Sequence, residues 1–179
     1  FATLFLVWAT TGCAWAKAPD WEKIRLDIEP GVGTADLKLN ESLPKEWPKS
    51  LGPPTTVFRY HDTGEGFRTV LWGSSEKGQL KKGIELRTIG LGEESTIIDI
   101  LVRGVRATVS QESLFLGLPV NRLSKRSKLI QRDGTTTYLL PGLILEAQSG
   151  KLSGLQVSSP ASTRWRFASR ASKLASTST

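Results

Sequence analysis

The sequence predicts an α+β protein of two tandem units, each a short helix packed on an antiparallel sheet; an all-β sandwich or barrel, with both helices reduced to turns, is the alternative. Three observations carry this expectation. The apolar residues recur in the same order twice along the chain. Several stretches alternate apolar and polar residues with the period of a half-buried strand. Two stretches space their apolar residues like one face of a helix.

The first unit runs Leu37-Lys38-Leu39, then Leu43, Trp47 and Leu51-Gly52-Pro53, then Gly83-Ile84-Glu85-Leu86 and the apolar run Ile97–Val102. The second runs Leu114-Phe115-Leu116-Gly117, then Val120, Leu123 and Leu129, then Pro141-Gly142-Leu143-Ile144-Leu145 and Leu152–Val157.

In chain order, Ile24, Leu26 and Ile28 alternate with Arg25 and Asp27 as in a strand, and Glu29-Pro30-Gly31-Val32-Gly33 reads as a turn. Ala35, Leu37 and Leu39 alternate again. Ser42 caps an expected short helix with Leu43, Trp47 and Leu51 on one face and Gly52 as its stop; Pro48 shortens or kinks it. Residues 55–60 and 67–72 read as a hairpin and 73–82 as a polar loop, followed by strands at 84–89 and 96–102. In the second unit a strand covers 105–109 and a helix 119–129. Asp133-Gly134 marks a tight hairpin, and strands cover 135–140, 143–147 and 152–157.

Residues 1–16 carry no charge and end in Ala14-Trp15-Ala16, the pattern of a secretory signal whose basic start is missing. Thr11-Gly12-Cys13-Ala14 also fits a lipoprotein signal, in which Cys13 would carry lipid. The expected organisation is therefore a signal over 1–16, units over 17–104 and 105–158, and a flexible basic tail over 159–179. An exported protein follows, periplasmic or extracellular, and lipid-anchored if Cys13 is modified.

Charge divides the chain. Up to Val102 there are 12 Lys and Arg against 14 Asp and Glu; from Arg103 onward there are 12 against 3. The cationic second half favours an acidic protein or an anionic membrane surface as partner, with nucleic acid set aside by the expected export. The densest cluster is Arg122, Lys125, Arg126 and Lys128, on the solvent side of the expected second helix and opposite Val120 and Leu123.

No catalytic constellation emerges. His61 is the only histidine, and its neighbour Asp62 points the opposite way on an extended chain. One histidine and one cysteine cannot furnish a zinc site. No serine sits in a Gly-x-Ser-x-Gly elbow, and Gly90-Leu91-Gly92 joins two strands rather than opening a helix, so no nucleotide loop is read there. The reading assigns no catalytic residue, cofactor or metal.

Leu37, Leu39, Leu43, Leu51-Gly52-Pro53 and Gly83-Ile84, followed by Leu114, Leu116-Gly117, Pro141 and Gly142, resemble the BamE-like fold of small bacterial envelope proteins and its tandem form in beta-lactamase inhibitory proteins. That resemblance implies strand, helix and hairpin used twice behind a signal. The disulfides typical of the inhibitors are absent from a chain with a single cysteine. The sequence thus points to an exported non-catalytic binding or scaffold protein of the bacterial cell envelope, with a secreted hydrolase or hydrolase inhibitor as the alternative. An inhibitor would use an exposed patch of Phe58, Tyr60 and Trp72.

Overall fold

The computed structural model describes residues 19–60, 67–77, 79–90, 95–109, 114–122, 128–132 and 135–158. Among the described residues eleven strands form two sheets. The small sheet consists of β1 (Leu26–Ile28), β6 (Ala107–Val109) and β7 (Leu114–Phe115), in the order β1-β6-β7, with β1 and β6 parallel. The large sheet takes β2 (Thr56–Tyr60), β3 (Phe67–Glu76), β4 (Gln79–Ile89) and β5 (Thr96–Arg103) from the first half of the chain. From the second half it takes β8 (Lys128–Arg132), β9 (Thr135–Leu140), β10 (Leu143–Gln148) and β11 (Lys151–Ser158). Its order is β2-β3-β4-β5-β11-β10-β9-β8: two four-stranded antiparallel meanders joined back to back through β5 and β11.

This corrects the α+β expectation. Among the described residues the only helical element is the single 3-10 turn Val120–Arg122, and the chain is nearly all β. The first expected helix fails because Pro48 lacks the N–H that would bond to the carbonyl of residue 44, and both prolines push the residues before them, Leu43 and Trp47, toward extended backbone. The segment instead straps onto β5: Asn40 N–H donates to Ile97 O at 2.8 Å, Ile97 N–H to Glu41 O at 2.9 Å, and Leu43 N–H to Ser95 O at 2.9 Å. The helical spacing of Leu43 and Leu51 is met by this strap and a turn closing on Pro48, and both side chains are buried. The second expected helix meets the same competition. Gly117 N–H donates to Leu152 O at 2.7 Å, Leu152 N–H to Leu118 O at 3.0 Å, and Val120 N–H to Gly150 O at 3.1 Å. Among the described residues the helices implied by the BamE-like resemblance are therefore absent; residues 123–127 of the second lie outside them.

The two meanders correspond pair for pair. Leu101 lies opposite Gln156 at the centre of the β5–β11 ladder, and Asp99↔Ser158 on one side answers Arg103↔Gly154 on the other. β4 and β5 slip by one residue after Arg87, and β10 and β11 slip after Glu146, the corresponding place. The strap hydrogen bonds to β5 and to β11 match one for one. An approximate two-fold axis thus passes through the sheet between Leu101 and Gln156.

One face of the large sheet carries the core. Val70, Trp72, Ile84, Leu86, Ile100 and Val102 continue into Leu155, Val157, Leu143 and Leu145, and together they pack against Trp21, Leu26, Ile28, Leu37 and Leu39. Alternation at period two puts these residues on a single face, and burying them is the main driving force for the fold. Trp72 is fully buried, its indole N–H donates to Gly52 O at 2.8 Å, and its ring meets Trp47 edge-on with centroids 5.4 Å apart.

The meanders differ at one place. The second closes β9 to β10 with the tight turn Pro141-Gly142. At the corresponding position the first runs on through Gly73 and Gly83, which face each other, into a tip of residues 74–82. Both glycines have φ of +128°, and a Cβ on either would overlap a backbone carbonyl of the opposite strand. The backbones cross there more closely than any side chain allows. The residues expected to form a polar loop thus extend β3 and β4.

Candidate functional site

The tip leans over a half-open cleft of about 440 Å³ between the large sheet and the small one. Its cations come from two places. Lys81 and Lys82 stand on β4 at the tip, while Arg103 ends β5 and Arg106 precedes β6. Trp21, Val105, Leu116 and Leu152 supply its apolar surface. Leu116 and Gly117 arrive with the second strap, and Ser153 with β11.

Arg103 organises the cleft. One guanidinium nitrogen donates to Leu80 O at 3.2 Å, and the other donates to Glu146 in a close ion pair. It therefore ties the tip of the first meander to the second meander. Gly154 makes room for this pair, because a Cβ there would lie 3.2 Å from Arg103 Nε and 3.3 Å from Glu146 Oε2. Leu80 is buried, which anchors the tip in place. Gly104, with φ of +62°, turns the chain between the two arginines; a Cβ there would meet Lys81 O at 3.2 Å and Lys82 Cγ at 3.4 Å.

Lys81 pairs with Glu76 at 3.0 Å, and Arg106 reaches Glu22 at 3.6 Å. Lys82 has no ion pair among the described residues. Exposed pairs of this kind hold a side chain weakly, so these cations remain available to a stronger anion. Beside the cleft, Lys23 donates to Asp20 at 2.9 Å; that hydrogen bond, and then the carboxylate's charge, raise the Lys23 ammonium above the usual lysine value.

Among the described residues the hydroxyl and carboxylate of the cleft are engaged with neighbouring groups. Ser153 Oγ donates to Glu146 O at 3.3 Å instead of facing a base, and Glu22 is matched with Arg106. Elsewhere, buried Asp99 accepts from Ser158 Oγ, and buried Glu85 accepts from Arg87 Nε at 2.8 Å. Among the described residues no three His, Cys, Asp or Glu side chains gather as a metal site would require, and no helix is long and apolar enough to cross a membrane.

The residues read from the sequence as anion contacts do not line this cleft. Arg122 closes the 3-10 turn and Lys128 opens β8, so the two sit on different elements rather than on one helix face. Lys125, Arg126, Leu123, His61 and Cys13 lie outside the described residues. The patch expected of a hydrolase inhibitor does not form as read: Trp72 is buried in the core, while Phe58 is 41 % exposed on the edge strand β2. Lys81, Lys82, Arg103 and Arg106 were missed as a group because the fold joins residues far apart in sequence. The available signal was a pair of cations at the end of an apolar strand: Lys81-Lys82 before Ile84–Ile89, and Arg103 with Arg106 after Ile97–Val102.

No family model, curated protein or solved structure matches this chain.

Proposed function

We propose that this is a non-catalytic binding protein that receives an anionic group in the cleft beneath the β3–β4 tip. The observation that carries the reading is the convergence of Lys81, Lys82, Arg103 and Arg106 around one cleft, with Lys82 unpaired among the described residues. Clustered cations at a partly dry surface raise the local concentration of anions and hold them with charge-assisted hydrogen bonds. The roles divide by chemistry. Arg106 presents a planar fork suited to phosphate or carboxylate, Arg103 is held by Leu80 O and Glu146 and shapes the cleft, and the lysines act as mobile point charges. Binding is favoured over catalysis because Ser153 at the cleft donates to the Glu146 backbone carbonyl rather than to a base. The uncharged run 1–16 supports export, and we extend the proposal to a role in the bacterial cell envelope.

Titration calorimetry with pyrophosphate tests the proposal. The wild-type protein should bind one equivalent, and the double variant Lys82→Gln/Arg106→Gln should lose at least tenfold in affinity with its circular dichroism unchanged. Wild-type protein that ignores pyrophosphate at low salt, or a double variant that binds equally well, contradicts it.

A further inference from the structure

Building on the anion-binding reading, we propose that the cleft takes a phosphate-headed amphiphile, a doubly charged head on a short apolar body, and that the β3–β4 tip sets this specificity. The walls differ in chemistry. The cations of the tip and of the β5–β6 connection face a surface made by Trp21, Val105, Leu116 and Leu152. Trp21, Val105 and Leu152 are mostly buried in the core, and with the half-buried Leu116 they leave an apolar edge at the cleft that a bare oxyanion would not use. The volume points the same way: about 440 Å³ is the space of roughly fifteen waters at ~30 Å³ each, several times what one phosphate fills. It falls in the range of sites that enclose small organic molecules, which are mostly apolar with a few placed polar groups.

The tip distinguishes this cleft from its counterpart. The approximate two-fold axis gives the sheet two related ends, and among the described residues only the cleft end gathers such a set of cations; the positions that answer Gly104–Arg106 lie outside the described residues. Where the cleft has Arg103, Ser153 and Gln148, the other end has Ser158, Ile98 and Ile89. Where the first meander has its tip with Lys81 and Lys82, the second has only Pro141-Gly142. At that end Gly31 packs against Gly142, its N–H donating to Gly142 O at 3.0 Å, backbone on backbone. The meander itself therefore closes without a tip. The nine residues 74–82 add three lysines, of which Lys81 and Lys82 line the cleft, and the buried Leu80, whose carbonyl Arg103 holds in place over the cleft. A segment that is dispensable for closing the sheet, yet pinned over a cationic cleft, acts as its selective wall.

The experiment is titration calorimetry of inorganic phosphate, hexyl phosphate and hexanol against wild-type protein and a tip-less variant. In that variant residues 74–82 are deleted and Gly73→Pro recreates the Pro-Gly turn of the second meander. Hexyl phosphate should bind wild type at least tenfold tighter than inorganic phosphate, hexanol should not bind, and the tip-less variant should lose at least tenfold for hexyl phosphate. Should the tip-less chain fail to fold by circular dichroism, Lys81→Gln/Lys82→Gln carries the same expectation. Equal affinity for phosphate and hexyl phosphate overturns the amphiphile and leaves the anion-binding reading standing. Failure of every phosphate to bind overturns both. Undiminished binding by a folded tip-less variant overturns the role of the tip.

Discussion

Trp72 gives the sharpest test of how the meander core is held. Its side chain is fully buried, donates to Gly52 O at 2.8 Å, and stacks edge-on against the half-buried Trp47 at 5.4 Å and 80°. Trp72→Phe keeps most of the apolar volume but strands the Gly52 carbonyl, which should cost about 1–2 kcal/mol. Trp72→Ala also removes the packing, and buried large aromatics cost about 3–5 kcal/mol on truncation. Trp47 is only partly covered, so Trp47→Ala should cost roughly half as much, about 2 kcal/mol. The two rings touch, so a double-mutant cycle should return a coupling of about 0.5–1.5 kcal/mol. Urea unfolding followed by circular dichroism measures all four species, avoiding a fluorescence signal that the substitutions themselves alter. A Trp72→Ala protein within about 1 kcal/mol of wild type, or a coupling of zero, refutes the reasoning. If Trp72→Ala does not fold, the cycle is run with Trp72→Phe, whose ring retains part of the contact.

Four further outcomes are expected. Gly83→Ala should cost more than about 3 kcal/mol by thermal unfolding, because a Cβ at φ of +128° overlaps the Trp72 carbonyl, whereas Gly52→Ala, at φ of +64° with open space around it, should cost only about 1 kcal/mol. Glu146→Gln should tighten pyrophosphate binding about two- to fivefold in calorimetry, because Arg103 loses the neutralising partner of a half-exposed ion pair. Pyrophosphate affinity should fall steeply between low salt and about 0.15 M, as screening over a Debye length of about 8 Å requires. Neutralising Arg122, Lys125, Arg126 and Lys128 to Gln should change that affinity less than about threefold; a larger loss would place the anion contact in that segment instead.

The strands were legible in the sequence because alternation survives in a sheet with one buried face. Leu26 and Ile28 lie in a strand where period two places them, and burial alternates likewise from Leu143 to Ala147 in β10. The helices were misread because the four-residue steps Leu43, Trp47 and Leu51 record only that these residues share a side turned to the core; they do not distinguish a helix from a strap. Pro44 and Pro48 carried the contrary signal, and the carbonyls of Ser95 and Gly150 compete for the strap N–H groups only once β5 and β11 are in place. The tip escaped notice because it is polar on both sides except at Leu80, and a solvated hairpin reads as a loop. The cleft escaped for a topological reason. Trp21, Lys82, Arg106 and Leu152 are brought together by the joining of the two meanders at β5–β11, which no local pattern announces. The cationic excess that begins at Arg103 was visible, but its densest run drew attention to residues 122–128 rather than to the strand end where the excess starts.

The central claim, that one end of a two-fold-related sheet is the anion site, is tested most directly by amide chemical-shift mapping during a pyrophosphate titration. The account predicts saturable shifts confined to Lys81, Lys82, Arg103–Arg106, Gly117 and Ser153, with the related end at Asn40, Ile98 and Gly142 unmoved. Shifts of similar size at both ends, or shifts that avoid residues 81–82 and 103–106, would contradict it.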